Sequence, residues 1–400
     1  MRRAGGGLSV GMLCSRFALP LLCLIASVPV ALPGAEYIQR LWLSHRSPSP
    51  EKVVINWHSL GEGESQVEHG PTEQLGRVQK APATSQGRLH HEEITVEAGA
   101  PRWFYRVRTG GETSALASFK PLPARGDLRV VVVGDWGYSK ATDFSALLAE
   151  DAHWVMTAGD NVASLHEKGA EGLKAFGALV DRLPQLFRST LFMPVLGNHD
   201  RELTPRGPKP PAHAVYDVEA TAYREFFALP GQEWCWQFDI PAFDVRFVAL
   251  DLNHTQDHGT TWQTCHAWDA ESAQFRWYQD LMSTPATRPG FVFTIMNEKQ
   301  TALQGKMKGL WHEQFSRGSA LITGFGYFAE RAELKGGLPY FNTCLKGDGT
   351  PYQDPASKFF AREDNYLLLT FKQGAASMTV QFKNLRGVVL DSHVIQRRAP

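Results

Sequence analysis

Three short polar motifs, each placed directly after an apolar run, constrain this chain more than any bulk property. They are Gly134-Asp135-Trp136-Gly137, Gly159-Asp160-Asn161 and Gly197-Asn198-His199-Asp200, in that order. Leu128 to Val133, before the first, reads as a continuous apolar run of the buried-strand type. His153 to Thr157 and Phe192 to Leu196 supply the strands before the second and third. Val245 to Leu250 predicts a fourth strand ending at Asp251, and Phe291 to Ile295 and Ala320 to Thr323 two more. Helices are expected over Phe144 to Ala152, Leu173 to Leu183 and 271–282, and the tail (Tyr366 to Phe371, Ser377 to Phe382, Gly387 to Leu390) reads as antiparallel strands. Residues 124–400 therefore read as a layered α/β domain whose polar motifs lie just past strand C-termini, where open α/β sheets place their ligands.

Residues 36–123 have a different texture. Val53-Val54-Ile55-Asn56-Trp57, Glu93-Ile94-Thr95-Val96 and Trp103 to Arg108 are short alternating runs separated by Gly, Pro and Ser clusters, which predicts a small all-β sandwich. Leu122 to Gly126 reads as the linker. At 400 residues and 43% hydrophobic, the chain is long enough for one large core with a small companion. Lys+Arg and Asp+Glu both total 41 with no basic block, so nothing points to nucleic acid or an anionic membrane surface as partner.

The first 35 residues read as targeting: Arg2, Arg3 and Arg16 precede an uncharged stretch from Phe17 to Ala35. A signal peptide cleaved after Ala31 or Ala35 is expected, and an uncleaved N-terminal anchor is the alternative; either way the destination is extracytoplasmic, periplasmic or secreted. Outside this segment the cysteines are Cys235, Cys265 and Cys344. In an exported chain two of them can pair, most cheaply Cys235 with Cys265, but three pairings are open.

Strand-end carboxylates are what a two-metal phosphoester hydrolase needs. Two ions a few ångströms apart generate a hydroxide and clamp the phosphoryl oxygens, which requires a bridging carboxylate, further oxygen and nitrogen ligands, and an acid for the leaving group. On the motifs quoted, the chain resembles a purple acid phosphatase, within the metallophosphoesterase (calcineurin-like phosphoesterase) superfamily. Val54-Ile55-Asn56-Trp57, Gly70-Pro71-Thr72, His90-His91 and Phe104-Tyr105-Arg106-Val107 are similar to the fibronectin-like N-terminal domain of longer members. The resemblance implies a dinuclear Fe, Zn or Mn centre in the family. It places Asp135 as a ligand of the first metal, Asp160 as the bridging carboxylate, Asn198 on the second metal, and His199 as the outer-sphere catalytic histidine.

Four family ligand positions depart from that pattern. The tyrosine three residues after the bridging Asp is Ala163, the first downstream histidine is Asn297, and the closing Gly-His-x-His reads Gly324-Phe325-Gly326-Tyr327. Each metal keeps only two protein ligands, too few for a trivalent iron or zinc site, although one hard ion such as Mg²⁺ or Ca²⁺ could still use the three oxygens. No tightly bound metal is expected. Without cations Asp135 and Asp160 would face each other and one would take a proton; Lys299 is the candidate replacement charge. His254, His258 and His266, in the loop after Asp251, are the candidates for a rebuilt centre, and Tyr327 is a further one. Glu298 could act as a base, but nothing positions it.

Three function classes compete on these grounds, and the first is the expected one, with the other two as alternatives. The first is an exported pseudophosphatase acting as a binding or scaffold protein, holding phosphate or a phosphorylated ligand or an unknown protein partner. The second is an active acid phosphatase-type hydrolase with an altered centre. The third is an extracellular adhesion-type module.

Overall fold

The computed structural model describes residues 38–81, 88–165, 172–201, 220–255, 264–284, 289–349 and 353–398. The targeting segment 1–35 lies outside them. Among the described residues, no helix is long and apolar enough to cross a membrane.

The first part of the chain is all strand: β1 (Ile38–Ser44), β2 (Lys52–Ser59), β3 (Ser65–Gly70), β4 (Arg77–Ala81), β5 (Leu89–Thr95), β6 (Trp103–Thr109), β7 (Glu112–Thr113) and β8 (Ala117–Phe119). Strands and helices then alternate: β9 (Asp127–Val133), α1 (Ser145–Ala149), β10 (Trp154–Thr157), α2 (Gly172–Arg182), α3 (Pro184–Ser189), β11 (Leu191–Met193), α4 (Thr221–Phe226), β12 (Trp236–Ile240), β13 (Val245–Ala249), α5 (Ala273–Ser283) and β14 (Phe291–Met296). After α6 (Gln300–Gly305) and α7 (Leu310–Phe315) come β15 (Ala320–Thr323), β16 (Ala329–Leu334), β17 (Leu338–Asn342), β18 (Ser357–Ala361), β19 (Asn365–Lys372), β20 (Ser377–Asn384) and β21 (Val389–Gln396).

Two large mixed sheets form the sandwich expected for 124–400. One runs β21-β20-β19-β9-β10-β11-β1-β2-β5, the other β12-β13-β14-β15-β17-β16-β18. β9, β10 and β11 are parallel, with Trp154 opposite Val130 and Met156 opposite both Val132 and Met193. The facing surfaces interlock through aromatic pairs such as Trp154 with Phe247 (ring centroids 5.1 Å) and Phe293 with Phe371 (5.7 Å). With both faces covered, Val130 to Val133 are wholly buried, which explains their uninterrupted apolar run. A second apolar layer, with Phe275, Tyr278, Trp311 and Phe315, seats α5 and α7 on the outer face of the seven-stranded sheet.

The N-terminal sandwich forms, but it is not closed off at residue 123. Its outer sheet holds β3, β4, β6, β7 and β8. Its inner sheet (β1, β2, β5) continues into the main one, because β1 pairs in parallel with β11 at Leu43 and Leu191. Trp57 Nε1 donates to Thr109 Oγ1 at 2.9 Å, joining the two layers, and Trp42 stacks on Phe226 of α4 at 4.2 Å. Glu36–Pro400 accordingly pack as one unit.

Several elements differ from the sequence reading. α1 stops at Ala149, because Asp151 takes a left-handed φ of 51° and Glu150 turns inward to accept from Arg129 (2.6 Å), Tyr366 (2.8 Å) and Lys383. β12, β16, β17 and β18 have no counterpart there. β16 is Ala-Glu-Arg-Ala-Glu-Leu, whose charged residues hide its buried positions: Arg331 pairs with Asp391 at 2.6 Å, and Glu330 is fully buried. The last strand begins at Val389 rather than Gly387, since Gly387 occupies the turn in which Asn384 accepts N–H bonds from Arg386 and Val388.

Deleting residues 36–123 should strip β11 of its edge partner and uncover Phe226 and its neighbours. A 124–400 chain is expected to be insoluble or to melt without a cooperative transition in circular dichroism; a soluble, cooperatively melting 124–400 chain would contradict the shared sheet.

Candidate functional site

Parallel strands end at the same edge, and the loops after β9, β10, β11, β13, β14, β15 and β17 meet there. Asp135, Asp160 and Tyr327 all adopt left-handed backbone, with φ of 51°, 53° and 65°, the kind of local strain that collects at functional sites. The first two loops are stitched together: Asp135 N–H donates to Gly159 O (3.2 Å) and Gly137 N–H to Asp160 O (2.9 Å). Gly159, at φ +85°, lets the loops close up, since a Cβ there would lie 2.5 Å from that of Asn297.

Asn161 and Asp200 belong to the motifs without being candidate ligands; they are the frame. Asn161 accepts from Thr157 Oγ1 (2.7 Å) and donates to Val195 O (2.9 Å) and Asp200 (2.7 Å). Asp200 also accepts the N–H groups of Gly197 (2.8 Å) and Val162 (3.1 Å). Burial nevertheless pushes the Asp200 carboxyl up to about 7.

Asp135 and Asp160, 1% and 4% exposed, lie close enough to perturb each other's titration. Two buried carboxyls brought together in this way favour keeping a proton between them. Burial pushes Asp135 up to about 6, held from rising further by bonds from Cys344 and Asp160 and by the charge of Lys346. Burial, and then the proximity of Asp135 and Asp200, carries Asp160 well above the carboxylate range, although His199 N–H donates to its Oδ1 at 3.1 Å. The Cys344 thiol donates to Asp135 Oδ2 at 3.0 Å. Sequence reasoning misses Cys344 and Lys346 as site residues; their signal is that they follow β17, another strand parallel to β15 and ending at the same edge.

The degenerate ligand positions are occupied by contacts of a different kind. Asn297 is buried, and its amide Nδ2 donates to Ala158 O (3.3 Å) and Gly324 O. Asn253 Nδ2 donates to Asn297 Oδ1 and O (both 2.7 Å) and lies 3.3 Å from Asn198 Oδ1, so the ligand-type oxygens of Asn198 and Asn297 face a donor. Ala163 is exposed on its loop. Phe325 is half-buried, clamped by Asn342, which accepts its N–H (3.0 Å) and donates to its carbonyl (2.9 Å). The Tyr327 ring packs against Tyr138 (centroids 5.3 Å), whose ring in turn meets His199 edge-on with centroids 5.3 Å apart. Burial keeps the Tyr327 phenol protonated. Lys299 caps α6 and sits over the Phe325 ring at 5.1 Å, and Lys346 over the Tyr327 ring at 4.1 Å.

The rebuilt-centre candidates serve another carboxylate. His254 Nδ1 lies 2.7 Å and His266 Nε2 3.2 Å from Asp251 Oδ2. Burial alone would raise Asp251, but these two histidines hold it well below its ordinary range. His258 lies outside the described residues. Glu298 is spent on buried Lys306 (3.0 Å) and the Lys299 N–H (2.8 Å). Cys235, Cys265 and Cys344 are all free thiols, so the Cys235–Cys265 bridge, the cheapest of the pairings considered, is not formed; Cys265 instead receives a hydrogen bond from Arg201.

This donor set does not fit a two-metal centre. Its Asn297 amide is committed to backbone carbonyls, and among the described residues no three of His, Cys, Asp and Glu are placed to hold a metal ion.

No family profile and no curated protein matches the chain. Among solved structures it is similar to PhoD, with a TM-score of 0.64 and 13% identity, covering 92% of each chain. GAP50, the anchor in the inner membrane complex of Plasmodium, aligns at a TM-score of 0.48 and 14% identity over 69% of this chain and 90% of that one. Chaetomium thermophilum Vps29 aligns at 0.32 and 13% over 68% and 100%. The likeness to PhoD shows the fold: this chain shares the layered sandwich of that structure.

Asp135 and Asp200 bind protons more tightly folded than unfolded, so stability should fall as pH rises from the carboxylate range through about 6 to 7. Asp160→Asn supplies a permanent donor to Asp135 and should raise the urea midpoint at pH 8, by on the order of 1–3 kcal/mol, while changing little at pH 4.5. A wild type that gains stability toward pH 8, with the variant destabilised there, would mean that a cation holds an ionised pair. Separately, Asn297→His removes an amide from two backbone carbonyls and should cost about 2 kcal/mol in thermal or urea unfolding; unchanged stability would show that the amide bonds contribute nothing.

Proposed function

We propose that this chain is an exported pseudophosphatase: a phosphoesterase-type fold whose strand-end cleft binds a ligand without metal-dependent turnover. The observation that carries the reading is that Asp135 and Asp160 are buried together with Asn297 where a histidine ligand would stand, and that among the described residues no three of His, Cys, Asp and Glu are placed to hold a metal ion. In place of cations, a proton, a thiol and carboxamides meet the same polar demands.

The retained cleft suits an oxyanion. His199, the Asn198 amide and loop backbone N–H groups come from the motif after β11, and Lys299 and Lys346 add positive charge, each resting on an aromatic ring. Phosphate or a phosphorylated ligand is the class that fits, held by hydrogen bonds and charge with no activated water to cleave it. An active-enzyme alternative that recruits Tyr327 needs it as a phenolate, and burial together with the nearby charges of Asp135 and Asp160 opposes that. Export rests on the basic and apolar pattern of residues 1–35.

Elemental analysis of purified protein, run beside a phosphomonoester assay with added Fe, Zn, Mn and Mg, tests the reading. Fewer than about one tightly bound metal per chain and no turnover above an Asp160→Asn control are expected. Two metals per chain with activity lost in that control would overturn it. Phosphate at millimolar concentration should raise the melting temperature of wild type and not of His199→Ala.

A further inference from the structure

A basic-rimmed pocket lies away from the strand-end site, on the β5 side of the nine-stranded sheet. Arg40 (β1), His58 (β2), Arg88 and Leu89 (start of β5), Lys174 (first turn of α2) and Phe226 (α4) line most of a cavity of about 330 Å³, within the size range of small-molecule sites.

The cavity is built around a fixed guanidinium. Arg40 Nε and Nη2 donate to the two Asp181 oxygens at 2.9 and 2.7 Å, and its Nη1 lies 3.0 Å from His58 Nδ1. A guanidinium only donates, so His58 Nδ1 is the acceptor and the neutral ring carries its proton on Nε2. α2 leaves room for this arrangement at Gly177, where a Cβ would lie 2.8 Å from Arg40 Cζ. Arg88 and Lys174 are exposed, and neither has a carboxylate partner among the described residues. Three cations thus surround the cavity, and Asp181 is the carboxylate paired with one of them. His58 registers the imbalance: burial first, then the charges of Arg40 and Arg88, hold it below its ordinary range despite Asp181.

We propose that this pocket binds a multivalent tetrahedral oxyanion, phosphate- or sulfate-type, between His58 Nε2–H, Arg88 and Lys174. Those donors come from three elements and outnumber the carboxylates at the cavity, which suits a multiply charged anion better than a single carboxylate, while Leu89 and Phe226 give an attached organic moiety an apolar wall. Arg40 positions His58 and contributes its field. The proposal is independent of what the strand-end cleft binds.

The test titrates the full chain with sodium pyrophosphate, and in parallel with sodium sulfate, at constant ionic strength. Binding is read by calorimetry and by the histidine Cε1–H resonances, in which His58 and His199 report the two sites separately. A saturable shift at His58 is expected, with its titration moving to higher pH because the bound charge offsets Arg40 and Arg88. Arg88→Gln with Lys174→Gln, both at exposed positions, should weaken that binding by roughly tenfold or more. Tighter pyrophosphate binding assigns a phosphorylated ligand, and tighter sulfate binding a sulfated one. A His58 shift no larger than that in sodium chloride of equal ionic strength, or an affinity unchanged in the double variant, overturns the site.

Discussion

The parallel pairing of β9, β10 and β11 decides where the polar groups of this molecule collect. Strands that run the same way end at the same edge, so the residues after Val133, Thr157 and Met193 are brought together whatever their identity. Adjacent strands are only about 4.8 Å apart, so polar loops gathered there must pack backbone to backbone, and Gly159 with its left-handed neighbours makes that possible. The buried runs that precede the motifs exist because helices and a second sheet cover both faces. Site and core are thus two results of one ladder.

The edge is an electrostatic problem as much as a site. Acidic groups from adjacent loops lie in a region sealed from water, where unpaired charge is costly. A dinuclear centre would meet that cost with cations. This chain meets it with a retained proton, a thiol and carboxamides: Cys344 and Asp160 on Asp135, and Asn253 between Asn198 and Asn297. Nearby, Asp251 uses the opposite means, two histidines that keep it ionised. The two solutions differ because the Asp251 loop carries basic rings within reach of its carboxylate.

Legibility tracks the physics of each signal. The strand-end motifs stand out because buried parallel strands write unbroken apolar runs, and Asp135, Asp160, Asn198, His199, Asn297, Phe325 and Tyr327 all fall at the edge they mark. β16 and β18 are hidden because charge on their partly covered positions breaks the alternation. Cys344 and Lys346 are hidden because a lone thiol and a lone lysine have no pattern, and only the placement of β17 gives them meaning. Lys299 is expected from its spacing to reach toward the acidic pair, but β14 ends at Met296, the chain turns into α6, and its ammonium rests on Phe325. The boundary near residue 123 comes from composition, which registers a change of texture but not a hydrogen-bonded seam.

That seam also sets an order of assembly. Leu43 is synthesised long before Leu191, so β1, β2 and β5 emerge as a ribbon whose parallel neighbour does not yet exist. Contacts between residues so far apart along the chain form late and slowly, after much of the loop-closure entropy has been lost elsewhere. Until β11 arrives, the ribbon presents an open edge and the faces of Trp42 and Leu43 to whatever is nearby. The N-terminal strands are therefore sealed into the main sheet only once β11 has been made, although they are the first to be made.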